Sequence, residues 1–287
     1  MKSSRIRNLR KPKIISRPNH NVSRAEISKS ALKVLYRLKK AGFQAFLVGG
    51  GVRDALLELN PKDFDIATNA HPEQIRELFG NCRLIGRRFR LAHIHFGREI
   101  IEVATFRAAA SQDDKYADMA HDDGGRILRD NVYGSIDEDV WRRDFTCNAL
   151  YYNIADFSIW DYVDGVKDIQ KRKLVLIGDP HKRFREDPVR MLRAVRFSAK
   201  LDFTIDDKTV EEMRGLTELL GNVPPARLFD EFLKLFQTGY AKRTFGLLRK
   251  YHLFAQLFRE TDDELVRDDK FLKFVNAALA NTDKRIA

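Results

Sequence analysis

The chain has 287 residues, 44% of them hydrophobic and 20 of them phenylalanine, and 52 lysines and arginines against 41 acids give it a net charge of +11. That much apolar material excludes a disordered or fibrous chain, and the basic excess points to an anionic macromolecule, nucleic acid before an anionic membrane surface. Cys82 and Cys147 stand without partners at metal or redox spacing, no long apolar run occurs, and the N-terminus lacks the apolar segment of a signal peptide, so the expectation is a soluble protein of the cytoplasm with no membrane span.

In chain order, residues 1–24 carry Lys2, Arg5, Arg7, Arg10, Lys11, Lys13 and Arg17 with few apolar side chains, the composition of a flexible basic arm, although an organellar transit segment reads similarly. Ile27, Ala31, Val34, Leu35 and Leu38 recur at helical spacing, and Gly42 follows as a stop. "QAFLV" and "DFDIAT" read as strands, "PEQIRELFG" as a helix, and "CRLIG", "LAHIHFG" and "EIIEVATFR" as further strands, which makes a mixed α/β unit. Residues 108–125 have little periodicity and five aspartates, and read as a mobile surface loop. "WRRDFTCNALYY" reads as an amphipathic helix. After the short strand candidates "FSIWDYV" and "KLVLIG", nearly everything beyond His181 shows apolar residues at helical spacing, with Pro225 opening and Gly239 closing one of the helices.

The chemistry gathers in a few places. A strand ending at Gly49, Gly50 and Gly51 lets backbone approach a bulky anion, and Arg53 follows as a donor to phosphate; taken alone, the same triplet is a plain turn. Asp63 and Asp65 alternate with Phe64 and Ile66, so a strand would place both carboxylates on one face, about 6.5 Å apart, where a divalent cation offsets their repulsion. A solvated face is the other account of that pair. Arg142, Arg143 and Asp144 fit a triphosphate or a surface ion-pair network. Glu102 faces either the cation or an edge. Asp187, Arg190, Arg193 and Arg196 wind along a helix as a solvated face or as planar groups that read a base. His93 and His95 share a strand face, without a third ligand to suggest a metal.

Together, "LVGGGVRDALL", "DFDIAT", "RRDFTCNALYY" and "EDPVRMLRAVRF" resemble the ordered motifs of the class II nucleotidyltransferases, the group of bacterial poly(A) polymerases and tRNA CCA-adding enzymes. "NCRLIGRRFRLAHIHFG", the third glycine of "GGGVRD", "PPARLFDEFLKL" and "YHLFAQLF" resemble the bacterial poly(A) polymerase branch, and the likeness runs over about residues 25 to 287. The resemblance implies an α+β fold: a polymerase-β-like nucleotidyltransferase head with a mixed sheet over residues 25–155, a neck for nucleotide recognition over 156–205, and a helical RNA-binding body over 206–287. It implies that Asp63 and Asp65 bind Mg²⁺ or Mn²⁺, that Asp144 joins them as a catalytic carboxylate, and that Gly50, Arg53, Arg142, Arg143, Asp187, Arg190 and Arg193 contact the nucleotide. The implied activity is transfer of AMP from ATP to RNA 3′ ends with release of pyrophosphate, by a monomer with RNA-decay or RNA-chaperone proteins as partners. CCA addition to tRNA uses the same chemistry. Family members continue past "NTDKRIA" with more helices and a basic tail, which makes a truncated, non-catalytic RNA-binding protein the reading from another class. Cys147 replaces a branched aliphatic residue common in its motif.

Overall fold

The computed structural model describes residues 11–86, 90–108, 119–121, 127–130 and 132–286. These residues divide into two compact units, the first ending at Gln170 and the second running from Lys171.

The first unit is built on an eight-stranded mixed sheet in the order β1-β10-β9-β2-β3-β6-β5-β4. In chain order these are β1 (Lys13–Ile15), β2 (Ala45–Val48), β3 (Asp65–Thr68), β4 (Cys82–Ile85), β5 (Leu91–Phe96), β6 (Glu99–Thr105), β9 (Leu150–Asn153) and β10 (Ile159–Asp161). Only β3 and β6 run parallel. Every residue of β2 is buried, as a central strand with both faces covered requires. Helix α1 (Lys29–Lys40) starts where the Ser28 hydroxyl accepts a bond from the Ala31 N–H, and it buries Ala31, Val34, Leu35 and Leu38, the residues its spacing marked. It packs on β2, β3 and β6, while α2 (Gly50–Leu56) leads away from β2 and α3 (Pro72–Leu78) links β3 to β4. Two short helices, α4 (Ile136–Asp139) and α5 (Gly165–Gln170), flank the last strands of the unit.

Three sequence expectations need correction. The basic arm is not free over its second half: Lys13–Ile15 adds to the edge of the sheet against β10, and His20 Nε2 lies 2.9 Å from the Phe157 carbonyl oxygen. Backbone pairing and a ring contact order a segment too polar to bury itself. "WRRDFTCNALYY" is not a helix; Val140–Arg142 and Thr146–Asn148 are single 3₁₀ turns, and Leu150 to Asn153 form β9 between β2 and β10. Leu150, Tyr151 and Tyr152 are fully buried, so both faces of this strand meet the core and the apolar run carries no period to distinguish strand from helix. The loop expected over 108–125 lies mostly outside the described residues, but β7 (Met119–His121) pairs with β8 (Ile127–Asp130) as an antiparallel ribbon.

The second unit is helical, as its periodicity indicated. Only two-residue strands, β11 (Lys173–Leu174) and β12 (Thr204–Ile205), pair within it. The helices are α6 (Pro180–Glu186), α7 (Val189–Leu201), α8 (Asp207–Gly215), α9 (Pro225–Phe236), α10 (Ala241–Lys250), α11 (Phe254–Leu257), α12 (Arg259–Arg267) and α13 (Asp269–Ile286). Asp187 is extended and Pro188 opens the next turn, so α6 and α7 are separate helices. No helix among the described residues is long and apolar enough to cross a membrane.

Candidate active site

Where β2 ends, Gly49 takes φ +70° and ψ −134°, a backbone conformation that residues with a Cβ rarely adopt. A Cβ built there would stand 3.8 Å from Arg143 Nη1, 3.9 Å from Asp65 Oδ2 and 4.0 Å from the Asn148 carbonyl oxygen. Polar groups from three segments therefore surround one bare stretch of backbone. Gly51 has a packing reason instead, because a Cβ would lie 3.0 Å from the Asp63 carbonyl oxygen. Gly50 sits between them at the start of α2, facing the Arg53 guanidinium.

Asp65 opens β3 beside Val48, and Asp63 lies two residues earlier, ahead of the strand. Both are exposed while Phe64 and Ile66 are buried, which is the alternation the sequence implied. Asp65 reaches solvent, yet protein atoms crowd its carboxylate enough that lost hydration is the largest cause of a pKa pushed up to about 6. The charge of Glu102 raises it next, Arg143 opposes, and Asp63 adds to the rise. Glu102 belongs on β6 one residue before the Ile66–Val103 pair, and His93 on β5 stands opposite it with Nε2 3.2 Å from Glu102 Oε2. Asp144 is engaged differently: its Oδ1 accepts from the Phe145 N–H at 2.7 Å and from Asn148 Nδ2 at 3.2 Å, which turns the chain between the two 3₁₀ segments. Of Glu102 and Asp144, Glu102 is thus the one whose charge acts on Asp65.

The arginines divide by depth. Arg53 is 2% exposed. Its Nε and Nη2 are 2.8 and 2.6 Å from Asp54 Oδ1, and Nη1 donates to Asn148 Oδ1 at 2.5 Å. It braces the glycine turn from below rather than reaching outward for an anion. Arg142 Nη1 donates to the Ala108 carbonyl at 2.5 Å. Arg143 Nε donates to the Tyr151 hydroxyl at 2.8 Å, its Nη2 is 3.2 Å from Asp139 Oδ2, and the guanidinium lies 4.8 Å from the Tyr151 ring centroid. Burial would raise the Asp139 carboxyl, but Arg143, Arg107 and the Tyr151 hydroxyl outweigh it and hold that carboxyl below its usual value. Asp139, Asn148 and Tyr151 went unseen in the sequence. Asp139 sits in "SIDEDVW", which reads as an acidic first turn in water, and only the fold shows that it is buried beneath an arginine.

In the second unit, Asp187 accepts two 3.0 Å bonds from Arg227 Nη2. Arg190 is buried and donates to the Arg183 carbonyl at 2.7 Å and to Glu186 at 3.1 Å. Arg193 and Arg196 both lie against the Phe197 ring, and Arg196 Nε donates to Glu231 Oε1 at 2.6 Å. The basic stripe on α7 is therefore an ion-paired, half-buried face and not a freely solvated one.

No three His, Cys, Asp or Glu side chains converge on a point among the described residues. The carboxylate oxygens of Asp63 and Asp65 are donors of the kind a hard divalent cation takes, with its other positions left to further oxygen ligands.

Both the fold and this group of motifs are similar to those of the RNA nucleotidyltransferases. The chain superposes on the Bacillus stearothermophilus CCA-adding enzyme, solved in complex with CTP, with a TM-score of 0.65 and 32% identity over 78% of this chain and 52% of that one. Residues 45–175 match the Poly A polymerase head domain, and residues 202–265 match the probable RNA and SrmB-binding site of polymerase A. The chain belongs to the poly(A) polymerase family. Poly(A) polymerase I of Salmonella typhi is 54% identical over 277 residues, which are 95% of this chain and 59% of that protein. The CCA-adding enzyme of Lactobacillus helveticus is 37% identical over 217 residues, 76% of this chain and 52% of that protein. This chain thus spans less than two thirds of the length of either relative.

Proposed function

We propose that the chain adds AMP from ATP to RNA 3′ ends. The observation that carries this reading is the convergence of Arg143 and Asp65 on the bare backbone of Gly49, beside the carboxylates of Asp63 and Glu102. A triphosphate needs close backbone approach and a fixed cation, which Gly49 and Arg143 supply. Arg53 and Asn148 hold the turn in shape, and Arg142 steadies the segment that carries Arg143. Asp63 and Asp65 would hold Mg²⁺ or Mn²⁺; when bound, such an ion neutralises phosphate charge and lowers the pKa of the attacking hydroxyl. The RNA 3′-oxygen forms its bond to the α-phosphorus as the bond to the β-phosphate oxygen breaks, and pyrophosphate leaves. Asp144 acts in this scheme through Asn148. Base recognition is assigned to the second unit, through Asp187, Arg190 and Arg193. The greater identity to a relative named poly(A) polymerase than to one named CCA-adding enzyme favours ATP and tail synthesis. A monomer working in the cytoplasm with RNA-decay or RNA-chaperone proteins completes the proposal.

Primer extension with each nucleoside triphosphate, on oligo(A) RNA and on tRNA lacking its last three nucleotides, tests it. Long tails from ATP on the oligo(A) primer are expected. CTP use confined to the tRNA moves the reading to CCA addition, which the superposition on a CTP-bound enzyme keeps as the second reading. No extension in any lane leaves RNA binding alone.

A further inference from the structure

The outer side of α1 carries a feature that nucleotidyl transfer does not use. Leu32 and Tyr36 lie one turn apart, off the stripe that packs on the sheet, and with Phe79 and Phe96 they form the apolar lining of a cleft of about 610 Å³. Lys29, Lys33 and Arg37 edge the same cleft from the same helix, at four-residue spacing, which sets them about 6 Å apart along the axis. No acidic residue lines the cleft, and none pairs with these three cations among the described residues. The Arg37 guanidinium lies 5.1 Å from the Phe79 ring centroid. Tyr36, 37% exposed, is tethered through its hydroxyl, which accepts a 3.0 Å bond from Arg24 Nη1.

We propose that this cleft binds single-stranded RNA upstream of the reacting end, one base stacking on Tyr36 and the apolar lining while successive phosphates lie against Lys29, Lys33 and Arg37. The proposal rests on the reading of the chain as an RNA-terminal transferase. Evenly spaced cations beside exposed aromatic surface fit a strand that alternates phosphate and base, because stacking tolerates any base and the row of charges tracks the backbone. An acidic amphipathic helix with carboxylates at four-residue spacing would match the charge as well, but it would leave Tyr36 without the flat partner that a base supplies. Phe96 pairs with Glu99 on β6, three residues along β5 from His93, which stands opposite Glu102. The odd spacing turns Phe96 to the sheet face opposite His93 and Glu102, so RNA whose 3′ end lies at the carboxylates reaches the cleft by passing around the β5–β6 end of the sheet, beyond the roughly 10 Å of strand between them.

Fluorescence anisotropy of a long oligo(A) strand across a salt series, without ATP, is the experiment. The triple variant Lys29→Ala, Lys33→Ala, Arg37→Ala is expected to bind about tenfold more weakly at low salt, with a log–log salt slope shallower by about 2, the value for three lost phosphate contacts on a single strand. Removing Lys39, Lys40 and Lys171, exposed lysines outside the cleft, should change the slope far less. Tyr36→Ala should weaken binding about fivefold or more and leave the slope unchanged. A triple variant with wild-type affinity and slope overturns the proposal. So does a triple variant that keeps RNA but loses an acidic peptide of Glu and Leu, which assigns the cleft to a protein partner. Because no turnover is read, a chain that extends no primer at all still answers the question, and the failure of the two readings is told apart.

Discussion

Asp65 and Asp139 show how neighbours set opposite fates for one side-chain type. The Asp65 carboxyl sits at about 6, above the 3.8 expected of the unfolded chain, so between those values the native state holds the extra proton and stability falls as pH rises. Asp65→Asn removes a poorly hydrated charge and its repulsion by Glu102 and Asp63. In a chelator at neutral pH the variant should melt above the wild type, the two should coincide at pH below both values, added Mg²⁺ should raise only the wild-type melting temperature, and transfer should be abolished. Equal melting curves at neutral pH would remove both the lost hydration and the repulsion from the account. Asp139 has the other sign: its folded pKa lies below 3.8, so its contribution is present above that pH and is lost as pH falls through the folded value. Asp139→Asn breaks a buried pair and should cost about 3–5 kcal/mol in urea unfolding at neutral pH, with the gap closing in acid. The two remaining carboxylates separate by the same reasoning. Glu102→Gln should lower activity about 10–100-fold with the fold intact. Asp144→Ala, which removes two accepted hydrogen bonds, should cost about 1–3 kcal/mol of stability first. The reverse pattern in paired melting and primer-extension measurements would exchange their roles.

At the scale of elements, the legible parts were those whose period survives packing. The stripe Ala31, Val34, Leu35 and Leu38 and the alternation of Asp63 and Asp65 with Phe64 and Ile66 each repeat one spacing and one burial pattern, whereas the buried run of β2 was legible from its shortness and the glycines that stop it. β9 was lost because a strand buried on both faces has no period, and β1 because its order comes from pairing with β10 rather than from its own composition. The buried support of the site, Asp139, Asn148 and Tyr151, was illegible for a further reason: their partners lie on other segments, as when Asn148 accepts from Arg53. The glycine turn was legible as a turn, though not in which glycine matters. Gly49→Ala settles that, since alanine at φ +70° strains the backbone by about 1–3 kcal/mol and its methyl occupies the space between Arg143 and Asp65. The variant should fold with a lowered melting temperature and show ATP–Mg²⁺ affinity reduced about tenfold or more by titration calorimetry, as loss of a close backbone approach to phosphate predicts. Unchanged affinity would place the triphosphate elsewhere.

Across the whole molecule, the carboxylates, the glycine turn and the cleft on α1 all belong to the first unit, whereas Asp187, Arg190 and Arg193 belong to the second. Under the proposed function, the first unit would supply transfer and the second base choice. Within the second unit the arginines are not equivalent. Arg190 is buried and bonded to the Arg183 carbonyl and Glu186, so Arg190→Ala removes structure along with any contact to a base and is a poor probe. Arg193 is half-buried and held against Phe197, which makes it the better one. In the full chain, Arg193→Ala should leave turnover at saturating ATP near the wild-type value while narrowing the preference for ATP over CTP by about tenfold, the size of one lost side-chain contact to a base edge. Competition between the two nucleotides on a single oligo(A) primer measures this directly, because both substrates meet the same carboxylates and differ only in the base. A variant that keeps the full ATP preference would move base choice away from Arg193, and a variant that loses turnover and preference together would tie this arginine to the reacting phosphates instead.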